Sequence, residues 1–366
     1  QRIGRNFQLD NSKINKIEQT YKSLSDWITS DKKFWGVFDT IVYPQGSYPI
    51  RTSLKPYRND EFDLDFVVQA LINYKEINPA LLYNSLYNRL FENEIYKDKI
   101  EKKNRCIRIN YKSDYHVDIL PACLVTENNQ SFLKIPDREL KDWCDSNPKG
   151  YIKWFNDISQ TVGPMYFELK KAFEVEDLPA KLPYENLLPL QRAVQLMKRY
   201  RDVYFEKNSN NKPSSIIITT LAALNYQSET SEYDTINNIL SRVVNSLESI
   251  RYYGIVNPLN PKENFADKML NDNNLFIAFS NFMQDFKNSW SSLNSLEGLD
   301  KISTTLSKLF GEKVVQSAIN EYSEFINKGR ENSSIGVNPA RGNVITPKVS
   351  NQPFIIAKPN TNFGDV

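Results

Sequence analysis

Residues 45–65 read Gln-Gly-Ser-Tyr-Pro-Ile-Arg-Thr-Ser-Leu-Lys-Pro-Tyr-Arg-Asn-Asp-Glu-Phe-Asp-Leu-Asp. A Gly-Ser turn is followed, about one hairpin later, by an Asp-x-Asp pair inside an apolar strand. Successive side chains of a strand alternate between faces, so Asp63 and Asp65 point the same way. Phe62, Leu64 and Phe66 point the other way, into a core. Two carboxylates side by side on one face repel each other unless a cation lies between them. The segment is therefore a candidate divalent-metal site with a phosphate-holding turn beside it, a combination that suggests nucleotidyl transfer.

The bulk properties are those of a globular protein. The 366 residues are enough for two ordinary domains, and 40% hydrophobic with 25% charged residues excludes a disordered chain. Lys+Arg 46 against Asp+Glu 44 leaves a net charge of +2, which excludes a strongly basic nucleic-acid-coating protein. No apolar run approaches the ~18 residues of a membrane-spanning helix, and the polar N-terminus has no signal-peptide core. The chain starts without methionine, which reads as trimming. Cys106, Cys123 and Cys144 are widely spaced, and His116 is the lone histidine. They make no zinc-finger pattern and read as reduced thiols of a cytoplasmic protein.

Apolar periodicity places a long amphipathic helix over Asn11 to Phe38, with Asp31-Lys32-Lys33 as a break before a second short helix. Ile41 to Tyr43 reads as a strand, and Pro44 to Ser47 as the turn after it. Asp63 to Ala70 is the next strand, and Pro79 to Phe91 a helix. Arg105 to Tyr111 and Tyr115 to Leu120 read as antiparallel strands joined through Lys112-Ser113-Asp114, with Phe132 to Ile135 as an edge strand. Strands and helices mixed in this way indicate an α+β or α/β sheet domain ending near residue 160. Beyond it the chain is helical: Leu187 to Phe205, Ser215 to Leu224, Thr235 to Leu247, Leu275 to Asn288 and Leu299 to Lys328. The Ile216-Ile217-Ile218 run is also compatible with a strand by propensity. Residues 331–366 are rich in Asn, Pro, Ser and Gly and read as an extended tail. No internal repeat is visible.

Nucleotidyl transfer asks a protein for cations held by carboxylates, in-line geometry and donors for a triphosphate. Asp63, Asp65 and Asp118 supply three carboxylates on two strand-like segments. Asp63 and Asp65 would bridge the metals; Asp118 would complete the second and orient or deprotonate the attacking hydroxyl. A solvated sheet face is the bland alternative for a lone Asp-x-Asp. Gly46 allows a backbone conformation that turns N–H groups toward phosphate, and Ser47 adds a hydroxyl. Lys198 lies along the edge of the inward face of its helix and is a candidate triphosphate ligand, against a solvated lysine among Arg192, Arg199 and Arg201. Ser215 opens a helix, where anions are favoured, though either it or Ser214 could be a plain N-cap. His116 shares a face with Asp118, as a structural histidine or a base. The basic stretch Lys97 to Lys112 reads as a solvated hairpin or a weak nucleic-acid surface.

These stretches resemble the bacterial CD-NTases, the cyclic GMP–AMP synthase and oligoadenylate synthase-like nucleotidyltransferases of CBASS anti-phage defence. The resemblance rests on Gln45-Gly46-Ser47-Tyr48 with Asp63-Leu64-Asp65, on Tyr115 to Pro121, on Leu190 to Arg199 and on Lys212 to Thr220. Asn257-Pro258 with Glu263-Asn264-Phe265 adds to it. It implies a polymerase-β-like, α+β sheet domain over residues 10–160 with a long N-terminal spine helix and a helical domain over 161–330; the tail over 331–366 lies outside the resemblance. It implies two Mg2+ ions (or Mn2+) on Asp63, Asp65 and Asp118, and triphosphate contacts from Gln45, Ser47, Lys198 and Ser215. The product would be a cyclic di- or trinucleotide made from NTPs, ATP among them, that activates a separate effector. The zinc insertion of the animal DNA sensor is absent, which argues against activation by duplex DNA through that element. A regulatory or C-terminal conjugating partner is known in some of these systems, and no membrane is implied. A linear oligonucleotide synthase, an RNA-tailing enzyme, a protein-AMPylating enzyme and a non-catalytic NTP-binding scaffold are the competing readings. Base choice is expected from cleft residues such as Thr220, Tyr252 or Tyr253.

Overall fold

The computed structural model describes residues 1–58, 60–111, 115–126, 129–160, 175–332, 336–337, 344–345 and 355–356. The chain forms two compact units, Phe7–Ser295 on one side and Gln1–Asn6 with Leu296–Val366 on the other. Helix α1 (Arg2–Arg5) belongs to the smaller unit.

The larger unit opens with α2 (Asn11–Thr29), which buries Ile14, Ile17, Tyr21, Leu24 and Ile28 at the expected helical spacing. The Asp10 carboxylate caps it, accepting from the Lys13 N–H at 2.8 Å. The helix stops at Thr29, and the second short helix expected before Phe38 does not form. Asp31 is the reason. Its carboxylate accepts the backbone N–H groups of Lys33, Phe34 and Trp35 at 3.1, 2.8 and 2.9 Å. A side chain that takes up these donors offers the backbone an alternative to helical bonding.

Seven strands form one mixed sheet: β1 (Thr40–Gln45), β2 (Phe62–Asn73), β3 (Ile100–Lys102), β4 (Ile107–Tyr111), β5 (Tyr115–Thr126), β6 (Asn129–Asp137) and β7 (Asp142–Ser146). The order is β1-β2-β5-β4-β3, with β6 between β5 and β7. The β2–β5 pair is parallel and the others antiparallel. Strand β6 is thus internal rather than the expected edge strand. Its neighbour β7, Asp-Trp-Cys-Asp-Ser, is short and polar and leaves no alternation to read. Leu64, Phe66, Val68 and Ala70 of β2, with Val117 and Ile119 of β5, pack against α2 and against Leu82, Leu86 and Leu90 of α3 (Pro79–Phe91). The opposite face carries Val67, Leu120, Ala122 and Leu124, packed with Ile41 and Tyr43. By the two-residue period, that second face is also the face of Asp63, Asp65 and Asp118.

A helix not anticipated, α4 (Pro148–Ser159), follows the sheet; Asn147 caps it by accepting from the Gly150 N–H at 3.0 Å, and Pro148 opens its first turn. The remaining elements are α5 (Pro189–Tyr204), α6 (Ser215–Leu224), α7 (Glu232–Asn245), α8 (Leu247–Tyr253), the β8 (Val256–Asn257) and β9 (Asn260–Asn264) hairpin, α9 (Asp267–Asn271) and α10 (Asn273–Ser292). The isoleucine run is helical, in α6. Helix α5 is buried at every position from Pro189 to Arg201. The loop after β1 lies along it: Gln195 donates to the Arg51 carbonyl at 3.1 Å, Lys198 to that of Thr52 at 3.3 Å, and Arg199 to that of Lys55. Tyr200, Phe282, Phe286 and Trp290 form an aromatic stack between α5 and α10.

In the smaller unit, the stretch expected as one helix from Leu299 to Lys328 is two, α11 (Leu299–Phe310) and α12 (Glu312–Glu331). Gly311 separates them at φ +93°, a conformation open to glycine and strained for other residues. Arg2 of α1 lies over the rings of Tyr322 and Phe325 of α12. Within the stretch expected as an extended tail, β10 (Gly336–Val337) pairs with β11 (Val344–Ile345) and β12 (Ile355–Ile356). The Lys112-Ser113-Asp114 turn and the start of the expected helical domain, residues 161–174, lie outside the described residues. Among the described residues, no helix is long and apolar enough to cross a membrane.

Asp31→Ala leaves three backbone donors in a partly buried turn without an acceptor. It is expected to destabilise the protein by about 2 kcal/mol in urea unfolding; a loss near zero would show that the turn holds without the carboxylate.

Candidate active site

The site begins with the register of one strand pair. In the antiparallel β1–β2 ladder Gln45 lies opposite Asp65, so the turn that follows β1 passes over the carboxylates. Gly46 adopts φ +70°, and a Cβ there would sit 2.3 Å from Asp65 Oδ2. Only glycine meets both demands. Ser47 closes the turn: its carbonyl accepts from the Thr52 N–H at 3.0 Å, and its hydroxyl lies 2.9 Å from that of Ser53.

The three carboxylates differ in their surroundings. Asp63 Oδ1 lies 2.7 Å from His116 Nε2, its register partner on β5. Burial opposes ionisation of Asp63, but His116, then Arg108 and Arg201, hold it below the ordinary carboxylate value. The imidazole moves in return: burial lowers it, and Asp63 overcomes this and raises it. His116 Nδ1 is 3.2 Å from Glu61, so the ring bridges two carboxylates. Asp65 is pushed up to about 7, first by burial and then by the like charges of Asp63 and Asp118. Asp118 is opposite Asp65 on the parallel side and opposite Arg108 on the antiparallel side. Arg108 donates to both its oxygens, Nε to Oδ1 at 2.8 Å and Nη2 to Oδ2 at 2.7 Å.

A cavity of about 590 Å³ opens in front of this face. Gln45, Gly46, Ser47, Asp63, Asp65, Lys198 and Ser215 all line it; Asp118 does not. Lys198 is 5% exposed, so the solvated-lysine reading is wrong: the loop after β1 covers the helix there. Its ammonium donates to Thr52 Oγ1 at 3.1 Å. Burial, and then Arg201, lower it to about 7. Ser215 is the first residue of α6, and its hydroxyl accepts from Arg201 Nη1 at 2.6 Å. The hydroxyl proton of Ser215 is therefore free to be given to a ligand. Arg201, read as a solvated neighbour of Lys198, is in fact 9% exposed and held by Asp202.

The expected base-reading residues fall elsewhere. Thr220 is fully buried and hydrogen-bonded to the Tyr151 hydroxyl at 2.9 Å, because α6 turns Thr219 rather than Thr220 to the cavity. Tyr252 and Tyr253 are each 78% exposed at the end of α8. Tyr151 of α4 and Asn257, Glu263 and Phe265 around the β8–β9 hairpin line the cavity instead. Asn257 Nδ2 donates to Glu263 Oε2 at 2.7 Å. An Asn-Pro followed by Glu-Asn-Phe was visible in sequence, but its placement against α4 was not. In the basic stretch, Lys103 pairs with Glu101 at 2.6 Å and Arg108 turns into the site. Lys112 lies outside the described residues.

Among the described residues, no three His, Cys, Asp or Glu side chains are already gathered as a metal cage. His116 and Arg108 stand against two of the carboxylates. The donor set nevertheless fits a divalent cation: three carboxylates on adjacent strands, one of them driven up by burial and then by the other two.

Gly46→Ala is expected to push the turn off Asp65, to cost about 1–3 kcal/mol of stability and to lower turnover at least ~100-fold. Steady-state rates beside thermal melts test it, and near-normal turnover would sink the argument. Lys198 has a folded-state pKa below its unfolded one, so the unfolded chain binds more protons and this group's contribution to stability rises with pH above about 7. Lys198→Met should therefore raise Tm by several degrees at pH 6.5, with the gain shrinking toward pH 9. A Tm difference that grows with pH would contradict the sign.

Residues 2–158 match the Second Messenger Oligonucleotide or Dinucleotide Synthetase domain. The chain is 35% identical over 365 residues to a c-di-GMP synthase of Roseivirga ehrenbergii, covering 98% of this chain and 94% of that protein. It is 22% identical over 355 residues to the cyclic dinucleotide synthase CdnG of Bradyrhizobium diazoefficiens, covering 88% and 83% of the two. The solved structure of that CD-NTase with GTP superposes with a TM-score of 0.71 at 20% identity, over 88% of this chain and 96% of that one, which supports the fold. The resemblance carried by Gln45-Gly46-Ser47 and Asp63-Leu64-Asp65 is thus one of descent over nearly the whole chain: it belongs to the bacterial CD-NTases, nucleotidyltransferases that make cyclic oligonucleotides from NTPs.

Proposed function

We propose that this enzyme joins two GTP molecules into a cyclic guanine dinucleotide, with divalent cations held by Asp63, Asp65 and Asp118. The observation that supports the site assignment is the close approach of Gly46 to Asp65, with the Gly-Ser turn, read as the phosphate-binding element, directly against that carboxylate. Lys198, Arg201 and the Ser215 hydroxyl line the same cavity and are positioned to take the triphosphate. The Ser47 hydroxyl and the Gly46 turn take it from the side of the sheet, with Gln45 beside them. Mg2+ or Mn2+ held by Asp63, Asp65 and Asp118 would supply charge neutralisation of the triphosphate, as a ribose hydroxyl attacks the α-phosphorus in line and pyrophosphate leaves.

Guanine is favoured by the chemistry of the cavity lining away from the carboxylates. Glu263 presents a carboxylate whose Oε2 is already held by Asn257. The Watson–Crick edge of guanine offers two adjacent donors, N1–H and the 2-amino group, to such an acceptor, whereas adenine offers the N1 acceptor there. Tyr151 and Phe265, ring centroids 6.2 Å apart, supply aromatic walls for the base. The 35% identity to a c-di-GMP synthase points the same way. We place the reaction in the cytoplasm, in CBASS signalling, with the product passing to a separate effector.

Mass spectrometry of reactions with all four NTPs and Mg2+ fixes base, length and cyclisation together. Cyclic di-GMP is the expected product, lost on Asp63→Ala with Asp65→Ala. Exclusively linear products would overturn the cyclisation, and products without guanine the base assignment. With GTP and ATP in competition, Glu263→Gln should reduce the guanine preference ~10-fold or more.

A further inference from the structure

We propose that Arg108 is a positioning residue that clasps Asp118 through both carboxylate oxygens and must release it before a cation can use that carboxylate. This rests on the reading of Asp118 as a metal ligand.

The geometry of the clasp is specific. Arg108 and Asp118 face each other directly across the antiparallel β4–β5 pair. Their contact is a planar fork, Nε to Oδ1 at 2.8 Å and Nη2 to Oδ2 at 2.7 Å, the strongest arrangement of an arginine with a carboxylate. Both side chains are largely covered, 26% and 16% exposed, so water does little to weaken it. Ile107 and Ile109 on either side of Arg108 are fully buried in the sheet, which holds the strand and turns Arg108 to the carboxylate face. Asp63 and Asp65 line the cavity and Asp118, though level with Asp65, does not. The three carboxylates are thus presented unequally. Two face the cavity where a nucleotide–metal complex would arrive, and the third has both oxygens engaged by a fixed positive charge.

A cation reaching Asp118 has to break or share the fork and meets the guanidinium charge. A cation on Asp63 and Asp65 does not. Metal loading is then ordered: the nucleotide-borne cation binds first, and the Asp118-dependent cation enters against Arg108.

Mn2+ binding followed by electron paramagnetic resonance, with a non-hydrolysable GTP analogue present, tests this without relying on turnover. In the wild type we expect one tighter and one weaker Mn2+. Arg108→Gln should tighten the weaker step ~10-fold or more and shift the tighter one less than ~3-fold. Arg108→Lys keeps the charge but loses the fork, so it should also tighten the weaker step, by less. In the Arg108→Gln background, Asp118→Asn should abolish the tightened step. An unchanged or weakened second Mn2+ in Arg108→Gln overturns the clasp. Tightening in Gln but none in Lys overturns it too, by leaving only net charge. If Arg108→Gln fails to fold, as judged by circular dichroism, the Lys variant decides alone. A different result, Asp118→Asn retaining both Mn2+ ions and full product formation, removes Asp118 from the metal site and so fails the underlying reading rather than the clasp.

Discussion

The approach of the Gly46 backbone to the Asp65 carboxylate is the constraint on which the rest of the site depends. Antiparallel pairing sets Gln45 opposite Asp65, and the chain must then reverse within a few ångströms of a buried acidic group. A residue with a Cβ would collide with that group, and one of ordinary backbone preference would not hold the turn. Once the turn is placed, the loop behind it has to follow α5, and the bonds from Gln195, Lys198 and Arg199 to its carbonyls join the sheet to the helices. The cavity is the space left between that loop, the carboxylate face and the first turn of α6.

The electrostatics follow from the same crowding. Carboxylates and cations are drawn into one region, from the exposed Asp63 to the buried Lys198, without full mutual neutralisation. Asp63 has His116, Asp118 has Arg108, and Arg201 has Asp202. Asp65 and Lys198 are left with weaker compensation, and each is displaced toward its neutral form, to about 7 from opposite directions. The charges that burial disfavours are those a nucleotide triphosphate with its cations would stabilise. The site is arranged for the ligand at the expense of the free enzyme, a familiar tension between stability and function.

Much of this was legible in sequence because it is local. The alternation Phe62-Asp63-Leu64-Asp65-Phe66 dictates which side chains share a face, and the core and carboxylate faces of β2 are as expected. The sequence pattern of α2, α3 and α5 set their existence and most of their bounds, while the isoleucine run of α6 left helix and strand open. The misreadings have one origin, competition from contacts that local pattern does not encode. Asp31 captured three backbone donors and ended a helix; Gly311 split another; β7 had too few apolar residues to announce itself. Lys198 was legible as a residue at the edge of the inward face, but a solvated lysine stayed open as the alternative, because nothing in a helix says that a loop from elsewhere will cover it.

The sequence by itself determined the chemistry: a glycine where the backbone must turn, two carboxylates on one face, a third on a strand of matching pattern, and a lysine and a serine at suitable places on two helices. Those depend on residue type and on the two- and four-residue periods of local structure. Only the tertiary structure decided how the groups are spent. It set Arg108 against Asp118 and His116 against Asp63, brought Tyr151, Asn257 and Glu263 to the cavity, and turned Thr220 away from it. The physical reason is that register between strands and the rotation of one helix against another arise from packing of the whole core. A charge finds its partner only after that packing is complete.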